Sequence, residues 1–136
     1  MILTAALALA VLTSAPPRVP VVQDDSQCLH ATGQETPEQR ERRVAALGAT
    51  RAINTAQAAF AQKNNRTYAS REELAGWIDA ARFNLTDKAD IVPGFTLTLD
   101  VMPKGYWFSV TDTTDPCGFR FISNQLGLIF TAQPIR

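Results

Sequence analysis

The sequence is poor in the residues that most often carry catalysis. Its 136 residues include a single histidine, His30. A Ser-His-Asp site would have to use His30, because there is no second imidazole, and no pair of histidines is available for a metal site. His30 stands in a polar, loop-like segment, so we expect it to be exposed and without a role. There is also no Gly-rich phosphate loop and no serine in a nucleophile elbow. We therefore expect a protein that is not an enzyme and has no cofactor.

The sequence also has no excess of charge of either sign. Lysine plus arginine and aspartate plus glutamate number 13 each. This balance gives no indication of a nucleic-acid partner or of binding to an acidic membrane. The densest cluster of charges, residues 40–43, is expected to be a solvated helix face. The length allows one domain with a hydrophobic core.

No apolar stretch is long enough for a stable membrane span. Residues 2–12 are apolar or small, which is the length of a signal-peptide core. Thr13, Ser14 and Ala15 supply small residues for a signal peptidase, although no lysine or arginine precedes the apolar core. We expect residues 1–15 to be a signal peptide cleaved after Ala15, and the protein to be exported to the periplasm or the extracellular space. An uncleaved anchor and a buried N-terminal segment are the alternatives.

The two cysteines, Cys28 and Cys117, are far apart and follow no C-x-x-C spacing. In an oxidising compartment, a structural disulfide between them is expected. The alternative is two unrelated buried thiols. Residues 16–35 alternate prolines and polar residues around Val21 and Val22, and we interpret them as an extended arm.

Residues 36–65 are predicted to form one long helix. Thr36 is suited to the N-cap, Pro37 to the first helical position and Gln39 to the reciprocal bond of a capping box. Asn64 and Asn65 are a suitable stop, because asparagine tolerates the left-handed conformation. A three-four spacing of small and apolar residues predicts a buried face that lies flat on a sheet. Its members are Ala46, Ala49, Ile53, Ala56 and Phe60.

The remainder of the chain predicts a short helix and a sheet. A second capping box, Ser70 with Glu73, opens a helix whose apolar stripe continues to Ala81, and residues 82–93 are predicted to be a loop. From residue 95 the hydrophobic period changes to two, which is typical of half-buried strands. Four strands are predicted, at residues 95–101, 106–111, 119–123 and 128–132. The fold class is therefore α+β, with a long and a short helix packed on a four-stranded antiparallel sheet.

Alternation along the strands predicts which side chains face the long helix. These are Tyr106, Phe108, Phe119, Phe121, Leu128 and Phe130. Trp107, Ile122 and Ile129 then converge on the opposite face, where they are too many to be scattered surface residues. Two explanations remain open. Either the arm covers them with its valines, or they form an open surface for a protein partner with Trp107 as its anchor.

Two segments resemble bacterial type IV pilin-like proteins and pseudopilins. Residues 51–74, RAINTAQAAFAQKNNRTYASREEL, resemble the region where the long helix ends and the globular head begins. Residues 117–130, CGFRFISNQLGLIF, resemble the closing strands of such heads. The resemblance implies a pilin-like domain over residues 36–136, in which a helical spine packs on an antiparallel sheet. The sequence departs from these proteins in lacking their prepilin leader and long apolar N-terminal helix.

The resemblance also implies a function. We expect an exported, non-enzymatic structural or protein-interaction subunit, associated with a type IV pilus or a type II secretion-like apparatus, with protein partners or self-association. The alternative is a small secreted or periplasmic module of the same design that binds a ligand or an enzyme. Some pseudopilin heads hold calcium on a loop, and Asp112 and Asp115 are weak candidates for it, although turn chemistry explains both equally well.

Overall fold

The computed structural model describes residues 28–30, 35–86 and 88–132. The signal peptide predicted for residues 1–15 and the arm up to residue 27 lie outside the described residues. The elements are α1 (Pro37–Lys63), α2 (Arg71–Leu74), β1 (Asp90–Val92), β2 (Phe95–Met102), β3 (Gly105–Asp112), β4 (Arg120–Asn124) and β5 (Ile129–Ala132). The strands form one antiparallel sheet in the order β1-β2-β3-β4-β5. The helices pack on it, so the predicted α+β class is confirmed, with five strands instead of four.

Helix α1 begins and ends close to where its sequence predicts. The Thr36 hydroxyl accepts the backbone N–H of Gln39 at 3.2 Å, and the Gln39 side chain accepts the N–H of Thr36 at 2.8 Å. At the other end, both the backbone N–H and the side-chain amide of Asn64 donate to the carbonyl of Phe60. Asn65 follows in the left-handed conformation, at φ 52°. At the N-terminus the Thr36 side chain therefore satisfies an N–H that the helix leaves unpaired, and at the C-terminus the Asn64 side chain adds a second hydrogen bond to a carbonyl of the last turn.

The face of α1 that was predicted to be buried is buried. Ala46, Ala49 and Ile53 are completely inaccessible, and Ala56 and Phe60 are nearly so. They belong to one hydrophobic core with phenylalanines of the sheet. Because an alanine side chain ends at Cβ, the aromatic rings of the sheet can approach the helix closely.

A buried glutamine joins α1 to the segment that follows it. The Gln57 side chain is inaccessible to solvent and forms two hydrogen bonds of 2.8 Å with the backbone of Ala69. Its amide donates to the carbonyl of Ala69, and its oxygen accepts the N–H of the same residue. The glutamine thus satisfies both polar groups of a buried peptide unit.

Replacing Gln57 by leucine should lower the free energy of unfolding by about 2–4 kcal/mol, because the N–H and the carbonyl of Ala69 would remain buried without partners. Urea denaturation monitored by circular dichroism measures the change. Gln62→Leu is the matched control, since Gln62 lies on the exposed side of the same helix. A loss for Gln57→Leu no larger than that of the control would contradict this role.

The second helix is shorter than predicted. It ends at Leu74 and does not continue to Ala81, which is exposed. The next N–H groups, those of Ala75, Gly76 and Trp77, bond to carbonyls three residues back, which is the pattern of a tightening last turn. Glycine is a poor helix former, so Gly76 in this turn favours an early end of the helix. Trp77 still packs on the core and meets Phe60 edge to face at 5.5 Å.

Strand β1 lies in the segment that was predicted to be a loop. It contains three residues, of which Ile91 and Val92 are buried. A run this short shows no alternation, so the period-two pattern could not predict it. The Arg71 guanidinium connects the segment before β1 to strand β2 by donating to the carbonyls of Leu85, Thr86 and Leu97 at 2.8–2.9 Å.

The side chains of β5 point to the faces opposite to those predicted. A four-residue turn at residues 124–127 predicts that Ser123 pairs with Leu128, but Ser123 pairs with Ile129. The loop is one residue longer than predicted, and a shift of one residue exchanges the two faces of a strand. Ile129 therefore packs against the core, while Leu128 and Phe130 are exposed, so their predicted placements were wrong. The Ser123 hydroxyl fixes this register by donating to the carbonyl of Leu128 at 2.7 Å.

Candidate functional site

Four apolar side chains form a diagonal stripe on the face of the sheet opposite α1. Within it, Ile122 is directly paired with Phe130 across β4 and β5. Trp107 pairs with Asn124 and is thus the diagonal neighbour of Ile122, and Met102 is in turn the diagonal neighbour of Trp107. Diagonal neighbours lie about 7–8 Å apart, within reach of large side chains. We call Met102, Trp107, Ile122 and Phe130 the outer stripe.

The outer stripe differs in composition from the set predicted for this face. Trp107 and Ile122 share the face, as predicted, whereas Ile129 points to the core. Phe130 takes its place and is 55% exposed, and Trp107 is 41% exposed. The sequence analysis placed Phe130 on the wrong face because it misjudged the register of β5. The correct length of the β4–β5 loop would have placed it on the outer face.

The two charged side chains that β2–β4 place on this face flank the stripe. Asp100 is the direct partner of Trp107 on β2, and Arg120 pairs with Thr111, two residues before Ile122 on β4. Both are exposed. The Arg120 guanidinium donates to the carbonyl of Gly118 at 3.3 Å, which places it close to the loop between β3 and β4. The outer stripe therefore has an acidic side chain beside Trp107 and a basic side chain beside Ile122.

The predicted disulfide is present. Cys28 and Cys117 are bonded, with their Cα atoms 5.3 Å apart, and Cys28 is buried. The bond attaches the end of the arm to the loop between β3 and β4. Because disulfides persist in oxidising compartments, the bond indicates an environment outside the cytoplasm.

His30 is buried, and its predicted exposure was wrong. Its side chain is 2% exposed and packs on Phe119, with ring centroids 4.2 Å apart and the ring planes tilted by 39°. Nδ1 contacts a carboxylate oxygen of Glu35, and Nε2 lies 2.9 Å from Oδ2 of Asp112. The disulfide two residues away explains the burial, since it holds this segment against the loop after β3. Pairing Cys28 with Cys117 in the sequence would already have placed His30 near Asp112.

Arginine and histidine compensate the two carboxylates of this buried cluster. Arg43 donates to both oxygens of Glu35, at 2.6 and 2.9 Å, and this contact with the help of His30 lowers the pKa of Glu35 despite its burial. Burial alone would raise the pKa of Asp112, but hydrogen bonds from His30 and Thr114 outweigh it, and the pKa is lowered. Both carboxylates are therefore ionised at neutral pH. We call His30, Glu35, Arg43 and Asp112 the histidine cluster.

The histidine cluster is arranged for stability. A general base needs a ring nitrogen directed at a substrate. Here a carboxylate occupies each nitrogen of His30, and the ring is closed off from solvent. The cluster joins the chain before α1, the helix itself and the end of β3, so it fixes where the helix starts relative to the sheet.

The two weak calcium candidates serve internal contacts. Asp112 Oδ1 accepts the N–H and the hydroxyl of Thr114, both at 2.7 Å, while Oδ2 faces His30. Asp115 Oδ1 accepts the backbone N–H groups of Cys117 at 3.0 Å and Leu29 at 3.4 Å. In the part of the chain that the structure describes, no group of three or more acidic, histidine or cysteine side chains is arranged to hold a metal ion.

Among the described residues, no helix combines the length and the apolar character needed to cross a membrane. Compared with protein-family models, curated proteins and solved structures, the chain matches none. The structure establishes a long helix packed on an antiparallel sheet, with a disulfide between Cys28, in the chain before the helix, and Cys117, in the loop between β3 and β4.

Proposed function

We propose that the protein is an exported, pilin-like subunit with a structural or protein-binding role, associated with a type IV pilus or a type II secretion-like apparatus. The observation that carries the proposal is the packing of one 27-residue helix, through an alanine-rich face, on one side of an antiparallel sheet. This is the arrangement that the resemblance of residues 51–74 and 117–130 implies.

Two further features support a role through contacts with other proteins. The disulfide fits an exported protein. The histidine cluster, the most evident polar constellation among the described residues, engages both nitrogens of its imidazole within the protein. Its geometry therefore favours a stabilising role over proton transfer. This favours a domain that acts through contacts with other chains.

The experiment is affinity purification after cross-linking in living cells of the organism that makes the protein. A tag placed after Arg136 leaves residues 1–15, the predicted signal peptide, unchanged. We expect enrichment of pilin-like subunits or components of a secretion apparatus, identified by mass spectrometry. An exported protein of unrelated fold with the same tag is the control.

Recovery of the protein without any enriched partner would contradict the proposal. A bound small molecule, detected by native mass spectrometry of the purified protein, would instead favour the ligand-binding module. Enrichment of an enzyme with no relation to pili or secretion would favour the enzyme-binding form of that module. The three outcomes are distinct because they differ in the chemical nature of what is recovered.

A further inference from the structure

The sheet has two edge strands, β1 and β5. An edge strand presents backbone N–H and C=O groups on the side away from its neighbour, and these groups can pair with a strand of another chain. Natural proteins usually prevent such pairing by short length, charge, proline or a bulge at the edge. The two edges of this sheet differ in these features.

Strand β1 has the features that prevent pairing. It contains three residues, its register with β2 is irregular, and Pro93 follows it directly. Its first residue, Asp90, is exposed and charged, and its carboxylate accepts the backbone N–H of Gly94 at 2.8 Å. We therefore expect no further strand at this edge.

Strand β5 has none of these features. Residues 128–132 read Leu-Ile-Phe-Thr-Ala, with no charge and no proline. All four residues of the strand pair with β4 in regular register. Among the described residues, β4 is the only strand beside it. Phe130 is 55% exposed at this edge, so a second strand could both pair with the backbone and cover an aromatic ring.

The sequence of β5 is complementary to itself in one antiparallel register. Directly opposed residues of antiparallel strands point to the same face, so a two-fold axis between two copies must pass through a residue. Phe130 is the central residue of 128–132. With the axis there, Phe130 faces Phe130 of the second copy, Ile129 faces Thr131, and Leu128 faces Ala132. Aromatic pairs and pairs with β-branched residues are favourable across strands, and the large leucine faces the small alanine.

Charge does not oppose this register. Arg120, the charged residue that β4 places beside β5, pairs with Ala132 and is thus two residues from the axis. The Arg120 side chains of the two copies are then separated by three strand spacings and four residues along the strands, or about 20 Å. That distance exceeds the screening length of about 8 Å at physiological ionic strength. The formal net charge of the chain is zero, so the copies do not repel each other at long range.

We propose that two copies of this chain associate by antiparallel pairing of their β5 strands, with the two-fold axis at Phe130. The two sheets become one continuous sheet, and the two outer stripes meet at Phe130. Because only residues 128–132 of each chain pair, the dimer belongs to the class of small, weak interfaces. The proposal concerns the isolated chain and does not depend on the proposed function.

The test measures the dissociation constant of the full chain by sedimentation velocity between about 1 μM and about 1 mM. Phe130→Lys and Phe130→Glu each place like charges directly opposite each other across the axis. Each should raise the dissociation constant at least about tenfold. An equimolar mixture of the two variants should dimerise again, because lysine then faces glutamate. Phe130 is more than half exposed, so both variants should fold, as circular dichroism checks.

Two control variants distinguish the edge from other apolar surfaces. Val44→Lys removes a side chain of similar exposure, 58%, from α1 and should leave the dissociation constant unchanged. Trp107→Ser changes the outer stripe on β3, two strands away from β5, and should also leave it unchanged. Amide hydrogen exchange locates the contact, since N–H groups of β5 should exchange more slowly as the concentration rises and those of β1 should not.

A protein that is monomeric over the whole concentration range would overturn the proposal. Loss of the dimer in Trp107→Ser or in Val44→Lys would also overturn it, and would assign the contact to the outer stripe or to α1. If the wild-type protein dimerises but the mixture of lysine and glutamate variants stays monomeric, the axis does not pass through Phe130 and the proposed register is wrong.

Discussion

Replacing both Cys28 and Cys117 by serine should lower the free energy of unfolding by about 4–5 kcal/mol, the largest effect that we expect from any change in this protein. The bond joins residues 89 apart. In the unfolded chain it closes a loop of most of the domain, and removing that constraint raises the entropy of the unfolded state. A typical domain is stable by about 5–15 kcal/mol, so the variant should be marginal at 37 °C.

Urea denaturation of the oxidised wild-type protein, the reduced wild-type protein and the double serine variant measures the difference in the free energy of unfolding. The wild-type protein treated with a reductant should match the double serine variant, because both lack the same cross-link. The reductant should leave the serine variant unchanged, which controls for other effects of the reagent. A difference below about 1 kcal/mol would show that the unfolded chain is already constrained near these residues, because the entropic contribution depends on an unconstrained unfolded state.

The parts of the fold that the sequence predicts are those specified by local interactions. The capping box of Thr36 and Gln39 and the spacing of Ala49 and Ile53 act within one or two helical turns, so a reader of the sequence can evaluate them directly. The strands β2 and β3 follow from their alternation. The disulfide followed from the number of cysteines and from the compartment, although no local interaction specifies it.

The parts that could not be predicted depend on interactions between distant segments. The face of Phe130 depends on one residue in the β4–β5 loop, and the bond from Ser123 to the Leu128 carbonyl, which stabilises that loop, is a tertiary detail. The burial of His30 depends on Asp112, 82 residues later in the chain. A polar residue in a polar segment gives no sign of such a partner. Only the predicted disulfide placed His30 near Asp112, and the expectation of an exposed histidine did not take it into account.

Replacing His30 by alanine should lower the free energy of unfolding by about 3–5 kcal/mol at pH 7, because it removes one member of a buried charged cluster and leaves the others without compensation. The Asp112 side chain is fully buried and would lose the donor at its Oδ2. Glu35 keeps Arg43, so the loss falls mainly on Asp112. Asp112→Asn added to His30→Ala should therefore recover part of the stability, as the asparagine carries no charge.

The pH dependence separates this electrostatic role from simple loss of packing. In the wild-type protein the pKa values of Glu35 and Asp112 are lowered on folding, so the folded state binds fewer protons than the unfolded state in the acidic range. Their contribution to stability is complete above the ordinary carboxyl pKa and is lost as the pH falls through the lowered values. In His30→Ala, burial should dominate at Asp112 and raise its pKa. The stability difference between wild type and variant should then be largest near pH 7 and should shrink toward pH 3, as measured by urea denaturation across this range.

Phe119, on which His30 packs, supplies the comparison: Phe119→Leu should destabilise by a similar amount at both pH values, since its contribution is apolar. A His30→Ala difference that is equally constant with pH would mean that the imidazole acts by packing on Phe119, and that the carboxylates find compensation elsewhere.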